Sequence, residues 1–268
     1  MENLNVLITG ASSGIGYELA KRFAKNSRNL VLVARNREKL EAVRSELSGG
    51  GATVTLIDKD LSHPGAAAEV YEEARSRNLR IDVLINCAGV GLYGKFHQCT
   101  QEEQVRMLQL NMVALTELTH LCAKDMVERG YGRILNVGSI SSFVSTPMMT
   151  VYAATKAYVL SFSESLNSEL SGRGDISVTA LCPGFTKTNF AKEAKLGKLE
   201  AWVNRIAMSP SVVARQGYEA LRNKKPIQTV GGRNVFLYLW IRWLPRPWLQ
   251  KAATFAFKDR PAAAERID

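Results

Sequence analysis

The chain has 268 residues, 46% hydrophobic and 22% charged, an ordinary balance for a soluble globular protein and enough length for one large α/β domain with a buried core. No apolar run approaches the roughly 18 residues of a membrane-crossing helix. The four cysteines (Cys87, Cys99, Cys122 and Cys182) form no C-x-x-C pair, which argues against a zinc site or disulfide framework and for reduced thiols in the cytoplasm. The net charge is +10, and residues 222–260 supply most of it, with nine Lys/Arg against the single acid Asp259.

The first apolar run, LNVLITG from Leu4, follows no basic segment and precedes no small-residue cleavage site, so it reads as a strand over 5–9 and not as a secretion signal. The stretch LITGASSGIGYEL (7–19) then answers to two patterns. Gly10-Ala11-Ser12-Ser13-Gly14 is a G-x-S-x-G nucleophile elbow, and Gly10, Gly14 and Gly16 are also a dinucleotide-type glycine turn. An α/β-hydrolase draws its base from a histidine that follows the serine and the acid. Only His63, His97 and His120 exist here, none of them in the C-terminal half, and the serine follows the very first strand, too early for that fold. The phosphate cradle fits better. Gly10 ends a strand, the glycines permit close backbone approach, and a helix over 15–27 opens near Ser13 with free amides and a positive dipole end. Ser12, Ser13 and Ile15 complete that cradle.

Further β-rich runs follow at 29–34, 53–58, 81–86, 132–138, 176–181 and 226–230, with helical patterns at 37–48, 65–78, 101–129, 152–171 and 210–222. Continuous Val/Ile/Leu strands alternating with helices predict a doubly wound parallel sheet of Rossmann type, with helices on both faces. One such domain is expected over 1–232, followed by a basic, aromatic helical extension over 233–268 packed on it. At the end of the second strand Ala34 stands where an NAD enzyme carries an acid, and Arg35 follows. A guanidinium suits a 2′-phosphate, so NADPH is expected over NADH; Arg37 and Lys39 add positive potential.

Six motifs occur in register: TGASSGIG (9–16), NCAG (86–89), Asn111, Ser139, YAATK (152–156) and PG (183–184). Together they resemble the classical short-chain dehydrogenase/reductase family over about residues 3–230. Tyr152 and Lys156 stand four apart on one helix face. An ammonium beside a phenol lowers the phenol's pKa from near 10, which would let Tyr152 exchange a proton with a carbonyl or alcohol oxygen. Ser139, at a strand's carboxyl edge, can donate to the same oxygen. The resemblance implies that Asn111 holds a water chain to Lys156 and that Lys156 binds the nicotinamide ribose. It implies that Asp60 and Leu61 contact the adenine and that Asn86, Ala88 and Gly89 line its ribose. Cys87 departs from the asparagine common in the family and reads as a packed thiol. Pro183, Gly184, Thr186 and Thr188 resemble the segment over the nicotinamide carboxamide and pyrophosphate. A homodimer or homotetramer is implied too.

Residues 185–209 form the expected substrate lid, with apolar spacing at Phe190, Ala194, Leu196, Leu199, Trp202 and Ile206 that suggests an apolar inner wall. The segment 234–258 contains three of the four tryptophans among basic residues. Three readings stay open for it: it covers the pocket or a second subunit, it dips into an anionic membrane surface, or it attracts an anionic carrier such as an acyl-thioester. Nucleic acid is not expected, because no binding module accompanies the charge. The chain thus reads as an NADP(H)-dependent reductase of an apolar ketone or aldehyde, with a non-catalytic NADP(H) sensor or scaffold as the alternative.

Overall fold

The computed structural model describes residues 2–197, 199–231, 247–249, 251 and 254. Its seven-stranded parallel sheet runs β3-β2-β1-β4-β5-β6-β7. The strands are β1 (Asn5–Thr9), β2 (Asn29–Ala34), β3 (Thr53–Asp58), β4 (Val83–Asn86), β5 (Tyr131–Val137), β6 (Asp175–Pro183) and β7 (Ile227–Val230). The sheet is built outward from β1 in both directions, so a switch point opens between β1 and β4, where such folds bind ligands beyond the strands' carboxyl ends.

Burial on both sides explains why the central strands are nearly pure Val, Ile and Leu. Val6 and Ile8 of β1 face one hydrophobic cluster and Leu7 faces the other. The first cluster takes Leu19 and Phe23 from α1 (Gly14–Phe23), Leu40 and Val43 from α2 (Arg37–Leu47), and Val213 and Leu221 from α9 (Pro210–Arg222). The second takes Val70 and Ala74 from α3 (Ala66–Ser76), Leu118 and Met126 from α5 (Leu115–Arg129), and Leu170 from α6 (Thr150–Leu170). Phe23 also meets Tyr218 edge-on at 5.0 Å, which locks α1 to α9.

One helical expectation is corrected. The helix expected over 101–129 is divided into α4 (Gln101–Leu108), a π-helical turn (Gln109–Ala114) and α5. The widened turn surrounds Asn111, whose side chain is drawn to partners outside its own helix; π-turns of this kind gather at functional sites. The lid forms α7 (Phe190–Glu193) and α8 (Leu199–Ile206), separated where Lys195 and Gly197 take positive φ values of 58° and 55°. At the lid's neck the Met208 amide donates to the Phe185 carbonyl and the Lys187 amide to the Met208 carbonyl, each at 2.9 Å. The extension over 233–268, including the aromatic 234–258 segment, lies almost wholly outside the described residues. Among the described residues no helix is long and apolar enough to cross a membrane.

Candidate active site

A cavity of about 1440 Å³ runs along the carboxyl edge of the sheet from the β2–β3 end, across the switch point, to the lid. At its centre Thr9 joins the two halves of the sheet. Its hydroxyl accepts the amides of Cys87 and Ala88, each at 3.0 Å, and so fixes the β4 loop against the end of β1. Gly10 follows with φ +67°, and a Cβ there would stand 2.9 Å from the Ala88 Cα, which makes glycine obligatory. The helix α1 then begins after Ser13 with no side-chain cap and no acid in its first turn. Its first helical bond is Tyr17 N–H to the Ser13 carbonyl at 3.2 Å, so the amides before it lack helical acceptors. An uncapped helix end beside a left-handed glycine is a fit cradle for a diphosphate.

At the β2–β3 end, Arg35 and Lys39 line the cavity, and among the described residues neither pairs with a carboxylate. Arg37 is committed elsewhere, to Asp58 at 3.0 Å and Glu41 at 2.9 Å, and does not line the cavity. The positive potential expected there therefore comes from Arg35 and Lys39. Asp60 also lines the wall, with one carboxylate oxygen accepting the Ser62 amide (2.9 Å) and hydroxyl (2.7 Å) and the other accepting from Arg106 (2.9 Å). Burial pushes its pKa up, but the Ser62 hydrogen bonds and the positive charges of Arg106 and Arg35 together hold it below the usual range.

Ser139, Tyr152 and Lys156 meet where the switch point opens toward the lid, all three less than a tenth exposed. Ser139 caps a short 3₁₀ turn (Ile140–Ser142), and its Oγ accepts the Ser141 amide at 3.1 Å, which leaves its own proton to donate. Ser142 Oγ donates to the Lys156 carbonyl at 2.7 Å and so ties that turn to α6. Lys156 Nζ donates to the Val137 carbonyl at 2.8 Å and lies 5.8 Å from the centre of the Tyr152 ring. The expected lowering of the phenol's pKa is not what the fold produces. Burial pushes Tyr152 up to about 12 despite the hydrogen bond from Ser139, and burial pushes Lys156 down to about 8. Cys87 edges the cavity, but burial raises its thiol to about 12, so it stays a protonated packing group.

The lid end is mostly apolar: Val144, Met149, Phe185, Phe190, Val203 and Met208 line the cavity there beside the polar Thr146, Asn189 and Glu193, and Phe190 is tilted against the Tyr152 ring at 5.2 Å. Ala194 and Leu196 are buried beneath it as the spacing suggested. Ile206, although 43% exposed, lines the mouth, while the Trp202 side chain lies outside the described residues.

Of the residues singled out in the sequence, Gly10, Ser12, Ser13, Gly14, Ile15, Arg35, Asp60, Leu61, Ala88, Gly89, Pro183, Gly184, Thr186 and Thr188 line this cavity together with Ser139, Tyr152 and Lys156. Three do not. Gly16 packs its Cα against the Gly10 carbonyl, where a Cβ would collide, so it shapes the turn from behind. The Asn86 amide is turned into the protein and donates to Thr119 and Asn136, each at 2.9 Å, linking β4 to α5 and β5. Its side chain thus serves the sheet, and the cavity wall there is formed by Cys87, Ala88 and Gly89. Asn111 is 1% exposed; its amide donates to Val90 and Thr155, and its oxygen accepts the Val90 amide at 3.0 Å. It thus pins the loop that carries Gly89 and lies one layer behind Lys156. Sequence reading passed over Thr9 and Arg106. Thr9 stood inside a quoted motif, but its two amide partners are almost 80 positions away.

Residues 4–198 match the short chain dehydrogenase family. Dehydrogenase/reductase SDR family member 7B of Bos taurus is 31% identical across 97% of this chain and 83% of its own. A short-chain dehydrogenase from Sphingobium yanoikuyae, solved in complex with NADPH, superposes with a TM-score of 0.79 at 34% identity, covering 97% of this chain and 98% of its own. The bulky-bulky ketone specific alcohol dehydrogenase from Comamonas testosteroni gives 0.75 at 30% identity, covering 98% and 97%. With the sheet order, the cradle and a match over most of its length in agreement, the chain belongs to the short chain dehydrogenase family of nucleotide-binding oxidoreductases.

Proposed function

We propose that this protein reduces an apolar ketone or aldehyde to its alcohol with NADPH as the donor. The observation that carries the reading is the convergence of Ser139, Tyr152 and Lys156 at the point where an anion-ready cradle meets an apolar chamber. NADPH, when bound, supplies the hydride. The α1 amides and Gly10 take its diphosphate, and Arg35 with Lys39 takes the 2′-phosphate, a partner that NADH lacks. The Sphingobium relative's complex with NADPH supports the same choice.

Tyr152 delivers the proton. With its pKa held near 12 by burial, its Oη–H bond is intact at neutral pH, the starting state that reduction requires. That bond breaks as the new O–H bond forms on the substrate oxygen. The Ser139 hydroxyl, which lines the cavity beside Tyr152, donates to the substrate oxygen and stabilises the negative charge that develops on it as hydride arrives. Lys156, anchored on the Val137 carbonyl, holds a positive charge beside the phenolate left behind and orients the ribose. The chamber formed by Met149, Phe185, Phe190 and Val203 excludes water and prefers an apolar substrate body. The experiment is NADPH consumption over a panel of apolar ketones and aldehydes, with Tyr152→Phe as the control. We expect turnover on members of the panel and a loss of at least about a hundredfold in the variant. Equal rates in both proteins remove Tyr152 from the chemistry, and silence of both on every carbonyl, with NADPH still bound, favours a nucleotide sensor.

A further inference from the structure

Arg106, on α4 outside the cavity, has no place in the chemistry above, yet it makes two charged hydrogen bonds into the wall. Its Nε donates to Ser62 Oγ at 3.0 Å, and a terminal nitrogen donates to Asp60 at 2.9 Å. Asp60 ends a short segment after β3, and Arg35 follows the last residue of β2 beside it. The Lys59 amide donates to the Ala34 carbonyl at 3.0 Å, so Arg35 and Asp60 each lie one residue beyond that bond and line the same cavity. A carboxylate in that position is the nearest rival to a phosphate for the Arg35 guanidinium. Asp60 is 22% exposed and its oxygens are filled from behind by Ser62 and Arg106, while Arg35 pairs with no carboxylate among the described residues.

We propose that Arg106 is a specificity-determining positioning residue, which keeps the Asp60 carboxylate occupied from outside the cavity so that Arg35 remains available to the 2′-phosphate of NADPH. The proposal rests on the NADPH reading above. Without Arg106, Asp60 loses its ion pair, turns its free oxygen toward Arg35, and both neutralises that cation and presents a negative charge to the incoming phosphate. NADH, having a hydroxyl there, is little affected. Arg106 acts as a remote setting on cofactor choice.

The test is direct binding of NADPH and NADH, read by energy transfer from protein tryptophan to the nicotinamide, in the wild type, Arg106→Gln, Arg35→Ala and the double variant, with thermal melts to show that each is folded. For Arg106→Gln we expect NADPH affinity to fall about five- to tenfold with NADH affinity changed less than about twofold, the scale of one charged contact. In the Arg35→Ala background Arg106→Gln should leave the NADPH-to-NADH ratio unchanged, because the residue it protects is gone. Arg106→Lys, which keeps the charge, should recover part of the ratio. Equal weakening of both nucleotides by Arg106→Gln, or an unchanged ratio, overturns the proposal while Arg35→Ala still lowers NADPH preference. If Arg35→Ala leaves the preference untouched, the NADPH assignment itself is wrong and the proposal falls with it.

Discussion

Tyr152 and Lys156 lose hydration together, and the same burial drives their proton affinities in opposite senses, the phenol up to about 12 and the amine down to about 8. Each shift favours the neutral form, as expected for two groups less than a tenth exposed. Two consequences follow with definite signs. In the free enzyme the kcat/KM for carbonyl reduction should decline as pH rises through about 8, where Lys156 loses its charge, and not near 10, where an ordinary phenol titrates. A pH profile of Lys156→Arg, which stays charged, should lack that limb even at a lower rate. For stability, the unfolded lysine holds its proton to about 10.4, so between about 8 and about 10.4 the unfolded chain binds more protons and stability rises with pH. Denaturant melts across that window should show the rise, and Lys156→Met should remove it. None of this was visible in the letters Tyr-x-x-x-Lys, which fix the shared helix face but not the depth at which the pair lies. Asn86 teaches the same lesson. Its position in NCAG suggested a ribose contact, and only the folded chain shows that Thr119 and Asn136, 33 and 50 residues away, claim the amide.

The α1–α9 contact shows how remote elements hold the cradle in place. Phe23 is 1% exposed and meets Tyr218 edge-on, at the far end of the helix whose uncapped first turn borders the cavity. Phe23→Ala should destabilise the fold by about 3–5 kcal/mol in denaturant melts, and it should weaken nucleotide binding less than the loss of stability suggests, since the first turn is also fixed by Gly10 and Thr9. The strands were legible because burial on both faces demands unbroken Val/Ile/Leu runs, and NVLIT, NLVLVA and TVTLID coincide with β1, β2 and β3. Helix interruptions were less legible. Gly197 could have announced the break between α7 and α8, but Lys195 with φ +58° has no such signature. The π-turn at 109–114 carries no glycine or proline at all. It exists because Asn111 is drawn toward Val90 and Thr155, a tertiary demand that helix periodicity does not encode.

On the scale of the molecule, the cavity draws walls from both halves of the sheet, so a dinucleotide lying in it bridges the segments after β1, β2 and β3 to those after β4, β5 and β6. Ligands that bind only the folded form stabilise it by mass action, by about 2.7 kcal/mol at a hundredfold excess over Kd. Thermal melts should therefore show NADPH raising Tm by about 5 °C at that excess, with NADH giving a smaller rise at equal concentration. Equal shifts would count against a 2′-phosphate site at Arg35. The two backbone bonds that close the lid's neck, between Phe185, Lys187 and Met208, have a different kind of consequence. They make everything from 189 to 207 an excursion that leaves and rejoins the frame at one spot, much as an interchangeable tool head joins a common handle. Mutation can rewrite what the tool grips while the handle keeps its hold on the coenzyme, and new catalytic repertoires can emerge from such a chassis without refounding it.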